Sequence, residues 1–540
     1  MIQFEHSVID PRTFRYVSKH QRPQVFDTAT TQVDNTQGSR QMNNDRQQRS
    51  VLLATSISYI IVILDTSVVN VALQRIATGL AGGVAELQWV VNAYTLTFAS
   101  LLLTGGTLGD RLGARRVYMG GLATFTVASV LCGVAPSLGV LIAARVAQGI
   151  GAALLVPASM ALINRTWPQA QERAAVFGLW AGLGGMAMAA GPLLGGVLIG
   201  LSGWRSIFLV NVPVCVAGIV MAWRVGAPSS SLPRSTRLPR LSRLPRLPRL
   251  PRLPRLPRLP RDAARSFDLA GQLAAIATLA LLNVSIIEAP LYGWRSATLV
   301  GCLVATLAAG GLFIAIETTR AQPMMPTTLF RHPAFSGSVI VSMISAFTFY
   351  GLLFSLSLYW QQQRGYSPLR TGFAFLPLTV VVPIGSLLAK RAVHRLGAKW
   401  LIAGAFMLAA SGYLALMPIG PSTRYWVLAL PLPTIGLAAS LITPATTAAL
   451  MASAEPRRAG IAAGVLNAAR QSGAALGVAL SGVLIATRPS IAEGMHAGLL
   501  IAALLSAIAG MIWWRASKQS GVVIGGFIRA AGEPSPRQFR

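Results

Sequence analysis

Residues 106–116 read Gly-Thr-Leu-Gly-Asp-Arg-Leu-Gly-Ala-Arg-Arg, a short polar stretch between two long apolar runs. A related stretch, Arg-Leu-Gly-Ala-Lys at residues 395–399, lies 284 residues after the Arg-Leu-Gly-Ala-Arg of residues 111–115. Adding 284 to the first residue of the first, second, third and fifth apolar runs gives positions close to the first residues of the ninth, tenth, eleventh and thirteenth runs, respectively. The chain therefore contains two copies of one six-helix unit. Two parallel repeats of this kind are typical of transporters whose binding site lies between them.

Fourteen apolar runs follow the polar N-terminus, each long enough for a helix that spans a membrane. They are too long and too uniformly apolar for barrel strands, which alternate between apolar and polar residues. We therefore predict an all-α integral membrane protein with two six-helix bundles and two inserted helices. The runs cover residues 51–73, 86–106, 116–134, 138–163, 174–200, 205–223, 268–288, 297–316, 334–358, 370–389, 400–418, 425–451, 460–486 and 496–514.

The composition agrees with a membrane protein, because 53% of the residues are hydrophobic and only 11% are charged. Soluble proteins carry about 25% charged residues. The net charge of +30 does not indicate a nucleic-acid binder, because the basic residues lie in short gaps between apolar runs. Three cysteines in 540 residues exclude a disulfide scaffold.

The basic residues predict the orientation, since lysine and arginine accumulate on the cytoplasmic side of a membrane. With the N-terminus inside, 37 of the 46 basic residues lie on the cytoplasmic side and 7 lie outside. We therefore expect a multi-pass protein of the bacterial inner membrane with both termini in the cytoplasm. The predicted parts are a disordered tail (1–50), a six-helix bundle (51–224), a linker (225–267), two inserted helices (268–316), a second six-helix bundle (334–515) and a cytoplasmic tail (516–540).

The linker consists mostly of Leu-Pro-Arg triplets, which are unbroken from Leu244 to Arg261. Proline at every third position excludes a helix and favours polyproline II. One interpretation is a basic tether to anionic lipids, at about 1 kcal/mol per arginine close to the surface. The favoured alternative is a tandem expansion that a loop tolerates.

The stretch at residues 106–116 resembles motif A of the major facilitator superfamily, with Ala114 at one usually basic position. Its glycines permit a tight turn, and Asp110 lies at the predicted cytoplasmic surface near the start of the thirteenth helix. The resemblance implies that this contact latches the two bundles in the outward-facing state. The alternative is a solvated turn. The residues of the expected latch are Gly106, Asp110, Arg111, Gly113, Arg115 and Arg116.

The fifth helix resembles motif C, the pattern of antiporters in the same superfamily, through Gly178, Gly191, Pro192, Gly195 and Gly196. Residues 64–73 resemble a first-helix motif of fourteen-helix drug:H+ antiporters, and residues 145–151 resemble motif B. The departures are Ala187, where motif C usually has glycine, and Gln74, where the first-helix motif usually has proline. The chain is thus similar to the fourteen-helix drug:H+ antiporter group, whose members include multidrug exporters of the EmrB/QacA type.

Asp65 in the first helix and Arg145 in the fourth are two of the three charged residues deep inside predicted spans, and the third is Arg470 in the thirteenth. A charge at membrane depth costs about 2.5–3.5 kcal/mol on insertion scales and is a functional candidate by default. Asp65 and Arg145 lie roughly 10–12 Å below the predicted outer surface at 1.5 Å per residue, so they can pair. We predict that Asp65 carries the coupling proton and that Arg145 sets its proton affinity. A purely structural ion pair is the alternative.

Candidates for lining the substrate cavity are Gln148, Arg470, Tyr350 and Phe354. For Arg470, packing against backbone carbonyls is an almost equal alternative to lining the cavity. For the aromatic residues the alternative is packing or anchoring at the membrane interface.

Known enzyme patterns do not occur in the sequence. It has no phosphate-binding GxxxxGK[ST] loop, and its five histidines are scattered without the spacing of a metal site or a catalytic triad. We therefore expect no cofactor and no metal, with the proton gradient as the energy source. The expected function is proton-coupled efflux of hydrophobic or amphipathic small molecules.

Two alternatives remain open on the sequence. One is a dedicated exporter of a single endogenous metabolite such as an antibiotic or a siderophore, and the other is a non-transporting receptor on the same fold. The expected partners are the small-molecule substrate, protons and the lipid bilayer, including anionic lipids if the linker binds them. Action together with a periplasmic adaptor and an outer-membrane channel also stays open.

Overall fold

The computed structural model describes residues 25–519, apart from 225–267, 294, 321–324, 326 and 455–458. Residues 1–49 form one unit by their contacts and residues 50–540 form another. The predicted linker and the last residues of the C-terminal tail lie outside the described residues. In the described ranges the secondary structure is entirely helical.

Fourteen labelled helices carry the architecture of the described chain. They are α1 (Val25–Leu80), α2 (Val84–Leu112), α3 (Ala114–Gly133), α4 (Leu138–Thr166), α5 (Ala170–Ser202), α6 (Asn211–Arg224), α7 (Leu269–Tyr292), α8 (Ala297–Thr319), α9 (Pro333–Leu358), α10 (Pro368–Ala374), α11 (Val381–Ala415), α12 (Leu432–Ser453), α13 (Ala459–Ala486) and α14 (Ile491–Gln519). Shorter turns of helix lie at Ser206–Leu209, Leu376–Thr379 and Tyr425–Ala429, with a 3-10 turn at Thr327–Arg331 and a π turn at Tyr359–Gln363.

Thirteen stretches of the described residues are long and apolar enough to cross a membrane, against fourteen predicted. The difference arises at Leu376–Ala415, a single stretch of 40 residues that contains the tenth and eleventh predicted runs. Gly397 interrupts it with φ 74° and ψ 152°, a backbone conformation that glycine adopts without strain. Gly113 takes φ 91° at the matching place between α2 and α3. The backbone thus repeats at the two positions where the sequence repeats.

The N-terminal tail differs from the expectation of disorder over 1–50, because α1 begins at Val25. Residues 25–50 contain no proline and one glycine, so no residue there stops a helix from extending backwards from the apolar run. Adding residues to a helix that has already formed is far easier than starting a new one. At the other end, α14 continues to Gln519, into the segment 516–540 predicted as a tail.

Two buried clusters stabilise the helical body. One lies within the N-terminal bundle and includes Val62, Tyr94 and Phe125. The other joins both bundles, with Val68 and Phe208 from the first bundle and many residues of the second. We call the end where α1 ends and α2 begins the outer end, following the arginine distribution. The joint cluster includes residues near this end, so the bundles are packed together there.

The inserted helices α7 and α8 pack on each other, and α7 also contacts α2 and α13. Polar contacts fix α7 to α2 near both of its ends. The Gln272 amide donates to the backbone oxygen of Ser100, and the Trp89 indole donates to the Glu288 carboxylate at 3.2 Å. The inserted pair therefore lies over the seam between the two bundles.

Candidate functional site

The first site is the buried ion pair of Asp65 on α1 and Arg145 on α4. The two side chains are 0% and 1% exposed, and Nη1 of Arg145 donates to Oδ2 of Asp65. The structure therefore brings together the two residues that the sequence predicts to pair. Removing one partner of such a pair costs about 3–5 kcal/mol, because the other charge is left buried without compensation.

Two amide side chains complete the hydrogen bonding of the Asp65 carboxylate. Gln148 Nε2 donates to Oδ1 at 3.1 Å, and Asn211 Nδ2 on α6 donates to the same oxygen at 3.2 Å. Both amides also donate to the Ser129 hydroxyl on α3, at 2.9 and 3.4 Å. Side chains from α1, α3, α4 and α6 thus converge on one carboxylate inside the N-terminal bundle.

The Arg145 guanidinium uses several of its donors at once. Nε donates to the backbone oxygen of Val90 at 3.0 Å, and Nη1 also donates to Gln148 Oε1 at 2.8 Å. The guanidinium carbon lies 4.3 Å from the centre of the Tyr94 ring, within the range of a cation–π contact. This planar fork of donors has no equivalent in lysine.

Sequence reasoning missed Asn211 and Ser129, and it assigned Gln148 to a different site. Gln148 is 0% exposed and belongs to the ion-pair network, and its role as a lining residue of the substrate cavity stays a prediction. Asn211 carried a usable signal, since it is an amide inside the apolar run at residues 205–223. Nothing in the linear sequence indicates that it meets Asp65.

A second group of side chains lies where α1 and α5 face α9 and α13. The Tyr59 ring stacks on Trp180 with the ring centres 3.6 Å apart, and the Tyr350 hydroxyl lies 3.7 Å from the Met188 sulfur. Both tyrosines lie close enough to Arg470 to interact with it electrostatically. Because the contact between Tyr350 and Met188 joins the two bundles, this group lies between them, where a transporter of two repeats has its cavity.

The structure places the predicted cavity residues in two different environments, one between the bundles and one in the buried core. Tyr350 and Arg470 are partly exposed and belong to the group between the bundles. Phe354 is 0% exposed and lies in the joint core, and its role as a cavity residue stays a prediction. Arg470 also contacts a backbone carbonyl, as the packing alternative requires, through a 2.8 Å hydrogen bond from Nη2 to the oxygen of Thr443.

The glycines of the fifth helix allow two close approaches near the outer end. A Cβ at Gly195 would lie 2.7 Å from Val68 Cγ2 on α1, and a Cβ at Gly191 would clash with Ser67 on the same helix. A Cβ at Gly196 would instead lie 2.7 Å from the backbone oxygen of Pro368, at the start of α10 in the other bundle. Gly178 has no atom within 4 Å of such a Cβ. Gly196 is therefore the glycine of this pattern that brings the two bundles together.

Residues 106–116 lie at the opposite end, where α2 ends at Leu112 and α3 begins at Ala114. Arg115 ties α3 to the end of α6, since Nε donates to the backbone oxygen of Ala222 at 3.1 Å and Nη2 donates to that of Trp223 at 3.0 Å. Asp110 is exposed, and no cation of the described chain forms an ion pair with it. The start of α13 follows the undescribed residues 455–458, so the predicted latch stays a prediction.

The described residues contain no group of three or more His, Cys, Asp or Glu side chains that could hold a metal ion.

Comparison with known proteins gives consistent matches over most of the chain. The sequence profile of the Major Facilitator Superfamily matches residues 55–478. The methylenomycin A resistance protein of Streptomyces coelicolor is 33% identical over 464 residues, covering 86% of this chain and 91% of the relative. The protein of the same description from Bacillus subtilis is 35% identical over 481 residues, covering 88% and 96%.

A relative from another genus has a broader description. The multidrug resistance protein Stp of Mycobacterium tuberculosis is 34% identical over 443 residues, covering 82% of this chain and 76% of the relative. Among solved structures, a bacterial homologue of the human lysosomal transporter Spinster superposes with a TM-score of 0.58 at 18% identity. It covers 87% of this chain and 97% of the matched chain. This likeness concerns the fold.

Proposed function

The chain belongs to the major facilitator superfamily, and from that membership we propose that it exports hydrophobic or amphipathic small molecules in exchange for protons. The resistance proteins that it resembles support an efflux function for the chain. Membership of a transporter superfamily also argues against an enzyme and against a non-transporting receptor. We further propose that the protein lies in the bacterial inner membrane with both termini in the cytoplasm, as the arginine distribution indicates.

The single observation that carries proton coupling is the burial of Asp65 with Arg145, Gln148 and Asn211 around it. As long as Arg145 is in place, the charged carboxylate is compensated. If the pair separates inside the protein, the isolated carboxylate becomes costly and binding a proton relieves that cost. Re-forming the pair favours the charged carboxylate and releases the proton.

Asp65 lies on α1, and α1 also contacts the other bundle near the outer end. Movement of the bundles can therefore change the position of Asp65 relative to Arg145. Five residues further along α1, the backbone oxygen of Asn70 accepts a hydrogen bond from Ser357 on α9 of the other bundle. On the next turn outward, the Gln74 side chain accepts a hydrogen bond from Gln362 at 2.6 Å. Opening the outer end breaks both contacts and releases the outer half of α1. We propose that this freedom of α1 relative to α4 allows Asp65 and Arg145 to separate.

The experiment is substrate-induced proton release from purified protein in lightly buffered detergent solution. Substrates come from an efflux screen in everted membrane vesicles with a panel of neutral, anionic and monocationic amphiphiles. We expect Asp65→Asn to abolish both proton release and proton-driven efflux, while substrate binding persists.

Glu86→Gln serves as the matched control. Glu86 is exposed and caps α2 by accepting from the backbone N–H of Gly83 at 2.9 Å, a contact that glutamine retains. This variant should behave like the wild type. Proton release by Asp65→Asn equal to that of the wild type would place the proton carrier elsewhere.

A further inference from the structure

Arg470 on α13 is a second cation within a spanning helix, and its donors are only partly used. Nη2 donates to the backbone oxygen of Thr443 at 2.8 Å and to the hydroxyls of Thr446 and Thr447 at 3.2 and 2.8 Å. A guanidinium has five N–H donors. The two N–H groups of Nη1 and the one of Nε have no acceptor in the described part of the chain. The side chain is partly exposed, so these donors are available to a ligand.

Among the described residues, no Asp or Glu forms an ion pair with Arg470. Between residues 333 and 519 the sequence contains two acidic residues, Glu455 and Glu493. Glu493 is exposed near the start of α14, where it accepts a hydrogen bond from Ser490. Glu455 precedes α13 and is distant along the chain from Arg470. Arg145, in contrast, is paired with Asp65, so of these two arginines only Arg470 lacks an ion-pair partner in the described part of the chain.

Aromatic side chains from both bundles lie near this charge. Tyr59 and Trp180 come from the N-terminal bundle and stack on each other, and Tyr350 comes from the C-terminal bundle. The two tyrosines lie in the neighbourhood of Arg470. Tyr59, Tyr350 and Met188 are all partly exposed. A flat apolar body can lie against these rings while a polar head reaches the free guanidinium donors.

We infer that Arg470 binds an anionic group of the transported substrate, so that the preferred substrates are aromatic or amphipathic monoanions such as carboxylates. This inference rests on the proposed efflux function and specifies the substrate class for it. Carboxylates match the planar donors of a guanidinium, and hydrogen bonds to charged groups are about twice as strong as neutral ones. An uncompensated cation in a low-dielectric space also disfavours a second positive charge.

The test uses three probes that share one aromatic body and differ in charge, namely naphthylacetate, naphthylacetamide and naphthylmethylamine. Equilibrium binding to purified protein in lipid nanodiscs is measured without a proton gradient. We expect the wild type to bind the anion at least about tenfold more tightly than the amide, and the amine most weakly. Arg470→Gln should remove the preference for the anion while leaving amide binding unchanged. Arg470→Lys should retain part of the preference, since it keeps the charge but loses the fork.

Arg205→Gln is the matched control, because Arg205 also donates to a backbone carbonyl, that of Ala135 at 3.1 Å, and lies in the loop between α5 and α6. It should bind all three probes like the wild type. Equal affinity of the wild type for anion and amide, or tighter binding of the amine, overturns the inference even if Arg470→Gln does not fold.

Because no proton gradient is present in this assay, its result does not depend on coupling through Asp65. An anion preference in a protein that lacks proton-driven efflux supports the binding site while refuting the proposed function. Proton-driven efflux without a preference for the anion in the binding assay supports the proposed function and refutes the anion-binding site.

Discussion

Replacing Gly196 by alanine should open the outer end of the protein. A Cβ at this position would lie 2.7 Å from the backbone oxygen of Pro368 and 2.9 Å from the Cα of Leu369. Both are backbone atoms of the other bundle, so a rotamer change cannot relieve the clash. The contact between α5 and α10 is equally close at Gly372 on α10, where a Cβ would lie 2.6 Å from the backbone oxygen of Pro192 on α5. The bundles must therefore move apart there.

The size of the effect follows from the cost of overpacking, which is about 1–3 kcal/mol for one added methyl group in a tight interface. This cost falls only on the conformation in which α5 and α10 touch at the outer end. An outward-open conformation leaves position 196 without that neighbour and is not penalised. The equilibrium should therefore shift towards the outward-open conformation by a factor of about 5–150.

The assay is a distance measurement by electron paramagnetic resonance between spin labels at positions 202 and 422. Both positions are exposed at the outer end, in the first and second bundle respectively. The labels are attached to introduced cysteines, after the native cysteines Cys132, Cys215 and Cys302 are replaced. We expect the population with long distances to increase in Gly196→Ala.

Three other glycines of the same helix provide matched controls. Gly178→Ala and Gly200→Ala add a methyl group where nothing lies within 4 Å and should match the wild type. Gly195→Ala clashes with Val68 inside its own bundle, so it should lower the melting temperature without changing the distances. Identical distance distributions for Gly196→Ala, Gly178→Ala and the wild type would refute the reasoning.

Arg145→Lys should lower proton-coupled efflux about tenfold or more, because the guanidinium donates hydrogen bonds to Val90, Asp65 and Gln148 at once and lysine lacks its planar set of donors. Efflux in everted vesicles near the wild-type rate would contradict this. Asp110→Asn should alter efflux kinetics by about two- to fivefold at unchanged protein levels, because the predicted latch would lose a charge worth about 0.3–1 kcal/mol at the start of α13; wild-type kinetics would argue against the latch. Shortening 238–261 to a brief Gly/Ser loop should leave membrane insertion and efflux nearly unchanged, and loss of folded protein on a gel would show that the linker is needed.

The sequence predicted the features that depend on residues close together along the chain. The number and extent of the spans follow from the length of each apolar run, and thirteen helical stretches cover the fourteen predicted runs to within a few residues. The repeat was visible as Arg-Leu-Gly-Ala, and the structure adds that its glycine has positive φ in both copies. The helical start at Val25 was missed, because a polar composition alone does not stop a helix that begins in an apolar run.

For the site, the sequence could single out Asp65 and Arg145 because charges inside apolar runs are rare and costly. It did not indicate that Gln148 contacts Asp65 or that Phe354 lies in the joint core, because each helix has several faces and the apolar run does not tell which face meets a neighbour. Both turned out to be fully buried within the packed helices, whereas Tyr350 and Arg470 lie partly exposed between the bundles.

By itself, then, the sequence determined the helical membrane class, the two repeats and the inserted pair of helices. It also singled out Asp65 and Arg145 as opposite charges that can pair inside the membrane. Only the tertiary structure decided which amides reach Asp65, as Asn211 does from 146 residues away, and which glycine faces the other bundle. It also decided that, in the described part of the chain, Arg470 donates to Thr443, Thr446 and Thr447 through Nη2 alone. The reason is that hydrophobic length acts within one helix, whereas hydrogen bonds and close contacts depend on how separate helices rotate and pack against each other.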